Sequence, residues 1–223
     1  MAKIDLASAP PSRLLRRSVL MFLGLLGACA ALAVMFLCMR AVMEIGGVCA
    51  SGNTAFTPRV PCPKGVPGLM VGSIFGGLIM LGLYAVTAYG VNLTLLAWPA
   101  LFLSLGWNFL DFGVNPPVGG GPAGGWLVCA VIFILMGGIP LVIAIVAIVR
   151  GRESRLRSLD QSSLRGRLRL GETGAPAPGN DARARTVRNT GIAIQAAAIA
   201  AGLWCGIQLF EWATGSSVSI GFR

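Results

Sequence analysis

Five long apolar segments dominate this sequence and constrain its fold more than any other feature. A helix needs about 20 predominantly apolar residues to cross the hydrocarbon core of a bilayer, and each segment reaches that length. We therefore predict an all-α integral membrane protein, a bundle of five transmembrane helices that forms a single membrane domain over residues 1–223. The predicted spans cover residues 18–43, 68–90, 93–114, 126–149 and 190–213.

The composition also indicates that lipid surrounds much of the chain. It is 55% hydrophobic and only 12% charged, whereas soluble domains carry about 25% charged residues. The chain has no histidine, which removes the commonest metal ligand and the usual general base near neutral pH. Phosphate-binding loops and the motifs of zinc proteases and serine hydrolases are also missing from the sequence. We therefore expect no enzyme activity, no cofactor and no metal site.

The basic residues give the predicted orientation. Short loops rich in lysine and arginine stay in the cytoplasm, and most of the 18 basic residues precede the first span or follow the fourth. A total of five crossings places four of them between the two groups, so that both groups lie on one side; a total of four would separate them. The third segment is therefore predicted to cross. Its alternative is a re-entrant hairpin, because Pro99, Asn108 and Asp111 interrupt it. The N-terminus then lies inside and the C-terminus outside. The two groups are Lys3, Arg13, Arg16 and Arg17, and Arg150, Arg152, Arg155, Arg157, Arg165, Arg167, Arg169, Arg183, Arg185 and Arg188.

Two cysteines, Cys49 and Cys62, lie in the predicted extracellular loop 44–67. Thiols that face an oxidising compartment form and keep disulfides. A metal site needs three or four ligands, and a redox dithiol usually has the pattern C-x-x-C; the loop offers neither. The sequence therefore predicts a structural disulfide that closes this loop.

Residues 150–189 form the predicted cytoplasmic loop, which is rich in arginine. Its first part mixes arginines with leucines and fits a basic amphipathic helix lying on anionic lipid headgroups; the alternative is that the arginines only set the topology. Its second part, GETGAPAPGNDARA at 171–184, is typical of a flexible linker. No fold motif or interleaved aromatic residues accompany the arginines, so we expect no nucleic-acid partner.

Three glycines in the second span, Gly68, Gly72 and Gly76, recur at a spacing of four residues. Residues four apart share one face of a helix, and glycine lets another backbone approach closely. The pattern predicts a helix-packing face. The contact is either within the protomer, which is our default because five helices must pack somewhere, or between copies.

Six polar residues fall at a similar depth near the predicted outer ends of three spans. Ionisable residues in a membrane are costly and often mark a function. One interpretation is a polar outer-leaflet cluster, a vestibule that binds a cation, a lipid headgroup or a partner helix. The other, which we favour, pairs Arg40 with Glu44 inside one helix and leaves Asp111 and Glu211 hydrated at the headgroup boundary. The six are Arg40, Glu44, Asn108, Asp111, Gln208 and Glu211.

These features favour a non-catalytic function. Our leading hypothesis is an accessory or scaffold subunit that packs against other membrane proteins or against itself. The alternative is a small homo-oligomeric channel or solute transporter whose outer mouth is the polar cluster. The preference for arginine over lysine, with many alanine, glycine and proline residues, is typical of a GC-rich bacterial genome. We therefore place the chain in a bacterial cytoplasmic membrane.

Overall fold

The computed structural model describes residues 11–46, 49, 52–54, 57–58, 61–89, 93–117, 122–168 and 178–215. Five helices account for most of them, and two short strands pair between the first two helices. The elements are α1 (Pro11–Glu44), β1 (Gly52–Thr54), β2 (Thr57–Pro58), α2 (Val66–Thr87), α3 (Thr94–Val114), α4 (Gly124–Leu168) and α5 (Pro178–Thr214).

All five helices contain a stretch that is long and apolar enough to cross a membrane, which agrees with the predicted number of candidate spans. These stretches are Ser12–Glu44, Val66–Thr87, Thr94–Val114, Gly124–Val146 and Thr186–Thr214. The third is one continuous helix with Pro99 inside it, rather than a re-entrant hairpin. A proline inside a helix removes one backbone hydrogen bond and crowds the carbonyl four residues before it, but α3 continues past Pro99 to Val114.

Two helices extend beyond the predicted spans. The helix α4 continues without a break to Leu168, and α5 begins at Pro178. The segment predicted as a flexible linker is therefore helical from Pro178 onward, while 169–177 lie outside the described residues. Arginine and leucine are good helix formers, which explains why α4 continues beyond the predicted span. Proline is well tolerated in the first turn of a helix, which explains why α5 can begin at Pro178.

The helices form two groups that share α1. The first group is α1 with α2 and α5, which pack along its length. The second is the hairpin of α3 and α4, which pack mainly on each other. Within the described residues, α3 touches α1 over a small area and α2 still less, α3 and α5 do not meet, and α4 packs on α3 alone.

Small residues set the closest approaches inside each group. A Cβ atom added at Gly206 of α5 would lie 2.6 Å from the Ala30 carbonyl oxygen of α1, and one added at Gly24 of α1 would lie 2.7 Å from the Tyr84 backbone nitrogen of α2. On the hairpin, a Cβ at Gly137 of α4 would lie 3.0 Å from the backbone nitrogen of Leu103 on α3. Because glycine has no side chain, the backbones come into direct contact at these positions.

The bundle has two ends, which we name by their chemistry. The disulfide end holds the end of α1, the start of α2, the described parts of the connection between α3 and α4 (115–117 and 122–123), and the end of α5. Its buried apolar core includes Val34, Cys38, Val66 and Phe210. The arginine end holds the start of α1, the connection from α2 to α3, and the long extension of α4. Met21, Tyr84, Tyr89 and Ala198 belong to its core.

The loop at the disulfide end is folded back on itself. Strands β1 and β2 are antiparallel, with Gly52 opposite Pro58. Cys49 and Cys62 are joined in a disulfide, and their Cα atoms are 4.9 Å apart. Gly65 then turns the chain into α2 with a φ of 81°, a left-handed conformation that favours glycine. A Cβ at this residue would also lie 2.7 Å from the Ala213 carbonyl oxygen, so the loop is seated against the end of α5.

Candidate functional site

Arg40 is a buried arginine in a stretch predicted to lie in a membrane, and it is the centre of the site. It stands one turn before the end of α1, and only 6% of its surface is exposed. A guanidinium has five N–H donors and stays charged under any ordinary condition. Its burial in an apolar bundle is therefore costly unless neighbouring groups supply acceptors and a negative charge.

Two residues of α3 supply them. Asn108 and Asp111 are three positions apart, so they share the face of α3 that meets α1. Arg40 Nη2 lies 2.9 Å from Asp111 Oδ2, and Arg40 Nη1 donates a hydrogen bond of 3.3 Å to Asn108 Oδ1. We call Arg40, Asn108 and Asp111 the Arg40 triad.

The triad is also tied to the backbone of α1. Asn108, which is fully buried, donates from Nδ2 to the Phe36 carbonyl oxygen over 3.1 Å. That carbonyl lies one turn before Arg40 on the same helix. Asn108 thus contacts α1 twice, once through the guanidinium and once through the main chain, and this fixes the axial position of α3 against α1.

Aromatic rings cover the guanidinium on both helices. Arg40 Cζ lies 4.9 Å from the ring centroid of Phe112 and 5.8 Å from that of Phe36. An arginine over an aromatic face gains further electrostatic stabilisation, most of all where water is excluded. Arg40 Nε is buried without a hydrogen-bond partner among the described residues, so the donor capacity of the side chain is not fully used.

The favoured interpretation of the polar cluster is wrong for its first member. Arg40 forms its ion pair with Asp111 of another helix and not with Glu44 of its own, and Glu44 is exposed. The side chain of Asp111 is only 11% exposed, so it is not hydrated in the way that a headgroup-level carboxylate would be. A pair that spans two helices satisfies both charges and the nearby amide at once, which a local pair with Glu44 would not.

The other two members of the predicted cluster lie elsewhere. Gln208 donates from Nε2 to Glu211 Oε2 over 3.4 Å on an exposed part of α5. Since α3 and α5 do not contact each other in the described structure, this pair does not join the Arg40 triad. The six residues therefore divide into the triad, the α5 pair and the exposed Glu44.

The structure leaves the predicted glycine face of α2 open. A Cβ atom built on Gly68, Gly72 or Gly76 would meet no atom of the described residues within 4 Å. The default interpretation, a contact within the protomer, therefore finds no support among the residues that the structure describes. The physical reason is the rotation of α2 about its own axis. It contacts α1 through Gly77 and Tyr84, and these residues lie on a different side of α2 from the three glycines.

The glycines that do pack inside the protomer were missed at the level of sequence. Gly202 and Gly206 of α5 contact α1, and Gly24 and Gly27 of α1 contact α2. The first pair has the same four-residue spacing as the face on α2, so the signal was present in the sequence. Spacing alone does not say which of two equivalent stripes faces the neighbouring helix.

A second buried polar group lies at the arginine end. Gln195 of α5, 3% exposed, donates to the Tyr84 hydroxyl over 3.2 Å and to the Tyr89 carbonyl oxygen over 3.5 Å. Ser18 and the Tyr89 hydroxyl are 2.8 Å apart. Arg17 donates from Nε to the Thr87 carbonyl oxygen over 3.0 Å, at the end of α2. These bonds connect α1, α2 and α5 to the turn that leads into α3.

Comparison of the chain with protein-family models, with curated proteins and with solved structures found no match to any of them.

Proposed function

We propose that this chain is a non-catalytic, multi-pass subunit of a bacterial cytoplasmic membrane, which packs against another membrane protein or a second copy of itself. The observation that carries the proposal is the open glycine face of α2, formed by Gly68, Gly72 and Gly76. Apart from the neighbouring turns of α2 itself, no atom of the described chain lies within 4 Å of a Cβ built on any of the three.

The physics of membrane helices makes such a face informative. Lipid tails are as apolar as leucine, so helices associate through close packing rather than through hydrophobic burial. A glycine stripe brings two backbones close together and gains dispersion contacts along the whole stripe. Because α2 already packs on α1 through Gly77 and Tyr84, the open stripe is not needed to hold the protomer together.

The alternative, a channel or transporter with a polar outer mouth, has less support from the geometry. Its six polar residues do not line one cavity: the charge of Arg40 is paired with Asp111, and Gln208 pairs with Glu211 on α5. A conduction path needs polar groups that face a common water-filled space. We therefore place the scaffold function first.

The proposed contact can be tested by native mass spectrometry of the full chain in a mild detergent. We expect a defined complex, with a second copy or with a partner of fixed stoichiometry. Gly72→Leu should dissociate it, because overpacking a tight contact costs about 1–3 kcal/mol, or roughly 5- to 150-fold in affinity. The matched control is Gly138→Leu on α4, which also has nothing within 4 Å but lies on a different helix. A lone monomer in the wild type, or equal effects of both variants, would contradict the proposal.

The proposal includes an orientation, with the N-terminus and the arginines in the cytoplasm and the disulfide outside. Anionic lipid headgroups contact chiefly those arginines nearest the span, because the unbroken α4 carries its last arginine, Arg167, about 26 Å away from Arg150 at 1.5 Å per residue instead of turning along the surface. A protease-sensitive tag fused after the last residue should be cleaved from the periplasmic side of intact spheroplasts. Cleavage that requires lysis would contradict this orientation.

A further inference from the structure

The α3–α4 hairpin is connected to the other helices by peptide chain only at the arginine end. The connection from α2 occupies residues 88–93, and the connection to α5 occupies residues 169–177. At the disulfide end the two helices of the hairpin are joined by peptide chain only to each other, through residues 115–123. Whatever holds that end against α1 must therefore be non-covalent.

Hydrogen bonds fix the hairpin where it is covalently attached. The Leu93 backbone nitrogen, immediately before α3, donates to the Tyr84 hydroxyl of α2 over 3.0 Å. Gln195 of α5 donates to the Tyr89 carbonyl oxygen, and Arg17 of α1 donates to the Ala88 carbonyl oxygen over 3.3 Å. Three helices thus hold the start of the hairpin in place, which makes it a suitable pivot.

At the disulfide end the Arg40 triad carries the polar contacts that the structure shows between the hairpin and α1. These are the ion pair from Arg40 to Asp111, the hydrogen bond from Arg40 to Asn108, and that from Asn108 to the Phe36 carbonyl oxygen. Apart from the small contact between α3 and α1, the hairpin has little other support, because α4 packs on α3 alone in the described residues.

We infer that the α3–α4 hairpin is a hinged unit that pivots at the arginine end and is latched to α1 at the disulfide end by the Arg40 triad. This inference does not depend on the proposed scaffold function, since it concerns a different face of the molecule. Detachment separates Arg40 from Asn108 and Asp111 together, so the latch has two discrete states rather than a graded series. Hydrophobic burial alone does not replace it, because lipid offers an apolar helix face an equally good environment, and the close glycine contacts of α3, at Gly106 and Gly113, are made with α4 rather than with α1.

The latch can be tested by double electron–electron resonance on the full chain in lipid nanodiscs. Spin labels at Glu44→Cys and Val114→Cys, both exposed, report the disulfide end. Labels at Leu15→Cys and Leu95→Cys, 68% and 76% exposed, report the arginine end. The background replaces the free cysteines by alanine, and the labelling omits reductant so that the disulfide stays intact. Those cysteines are Cys29, Cys38, Cys129 and Cys205.

Two variants open the latch in different ways. Arg40→Met removes the cation, and Arg40→Met combined with Asp111→Leu removes both charges and leaves no buried carboxylate that could prevent folding. In each variant, the mean distance between the two labels at the disulfide end should increase and its distribution should broaden. The distance distribution at the arginine end should stay unchanged. Glu211→Gln is the matched control, because it alters a carboxylate that accepts a hydrogen bond from Gln208 of its own helix and does not bridge the two helix groups, and it should change neither distance.

Two results would overturn the inference. An unchanged, narrow distribution at the disulfide end in both variants would show that packing alone positions the hairpin. Equal displacement at both ends would show that no pivot exists at the arginine end and that the hairpin detaches as a whole. A change at the disulfide end alone, absent from Glu211→Gln, supports the latch.

Discussion

Replacing Arg40 by methionine removes a positive charge while it keeps much of the apolar stem of the side chain. The carboxylate of Asp111, 11% exposed, and the buried Asn108 then lose their donor. Two opposite unit charges about 4 Å apart attract by about 4 kcal/mol at an effective dielectric constant of about 20. Removing one member of a buried pair costs about 3–5 kcal/mol, because the other is left uncompensated. We expect Arg40→Met to lower the free energy of unfolding by about 3–5 kcal/mol.

The double variant Arg40→Met with Asp111→Leu separates the net worth of the pair from the cost of breaking it. An apolar replacement of a whole buried pair is often neutral or stabilising, while Asn108 still loses one hydrogen bond, worth about 1 kcal/mol. The double variant should therefore lie within about 2 kcal/mol of the wild type. Reversible unfolding in mixed micelles, followed by tryptophan fluorescence, measures the free energy of unfolding of both variants. Trp126 reports on this region, because the centroid of its ring lies 6.2 Å from that of Phe112. A cost below about 1 kcal/mol for the single variant, or additive costs in the double, would refute the reasoning.

Three further predictions concern other parts of the structure. Gly206→Leu should destabilise the chain by at least about 1–3 kcal/mol in the same unfolding assay, because a Cβ there would lie 2.6 Å from a backbone oxygen. Gly138→Leu is the control and should not destabilise it, because a Cβ there meets nothing within 4 Å. Equal effects of the two variants would contradict the packing of α5 on α1. The double variant Cys49→Ser with Cys62→Ser should have a free energy of unfolding about 3 kcal/mol lower than the wild type on the loop-entropy model. Reductant should destabilise the wild type and leave this variant unchanged. If reductant also destabilised the variant, the loss of stability would come from a group other than this disulfide. Gln195→Leu should cost about 1–3 kcal/mol, because it removes a buried donor to two acceptors; a neutral result would show that neither bond contributes to stability.

The number and position of the long apolar helices could be predicted from sequence because they depend on the local content of apolar residues. Each predicted span lies within, or within about three residues of, its helix, a difference ordinary for helix ends. The start of α5 at Pro178 was not predicted, because proline, glycine and alanine at 171–184 are typical of a linker. The first part of 150–189 was predicted as a helix, but its continuity with the fourth span was not. Helix propensity and a proline at a tolerated position outweighed that composition.

The candidate site was harder to predict, because it depends on which helices meet. Arg40 and Asp111 were both identified as costly residues at one depth, but the sequence offered Glu44 as a nearer partner on the same helix. The angular position of α3 around α1 decides between them, and a hydropathy pattern does not contain that angle. The same limit applies to the glycine stripes that contain Gly72 and Gly206. Their spacing is equal, but Gly206 packs against α1 and Gly72 contacts no other described helix.

The central place of α1 also has a consequence for biogenesis. Its two main neighbours are far apart in the remaining sequence: α2 follows it directly, and α5 is made after the other four helices. In the proposed membrane, the pair α1–α2 and the pair α3–α4 can each assemble as they leave the translocon, whereas the seam around Gly206 closes only after α5 has been made. Until then the surface of α1 that receives α5 is exposed to lipid or to insertion chaperones, and truncation before residue 186 would leave that surface permanently uncovered.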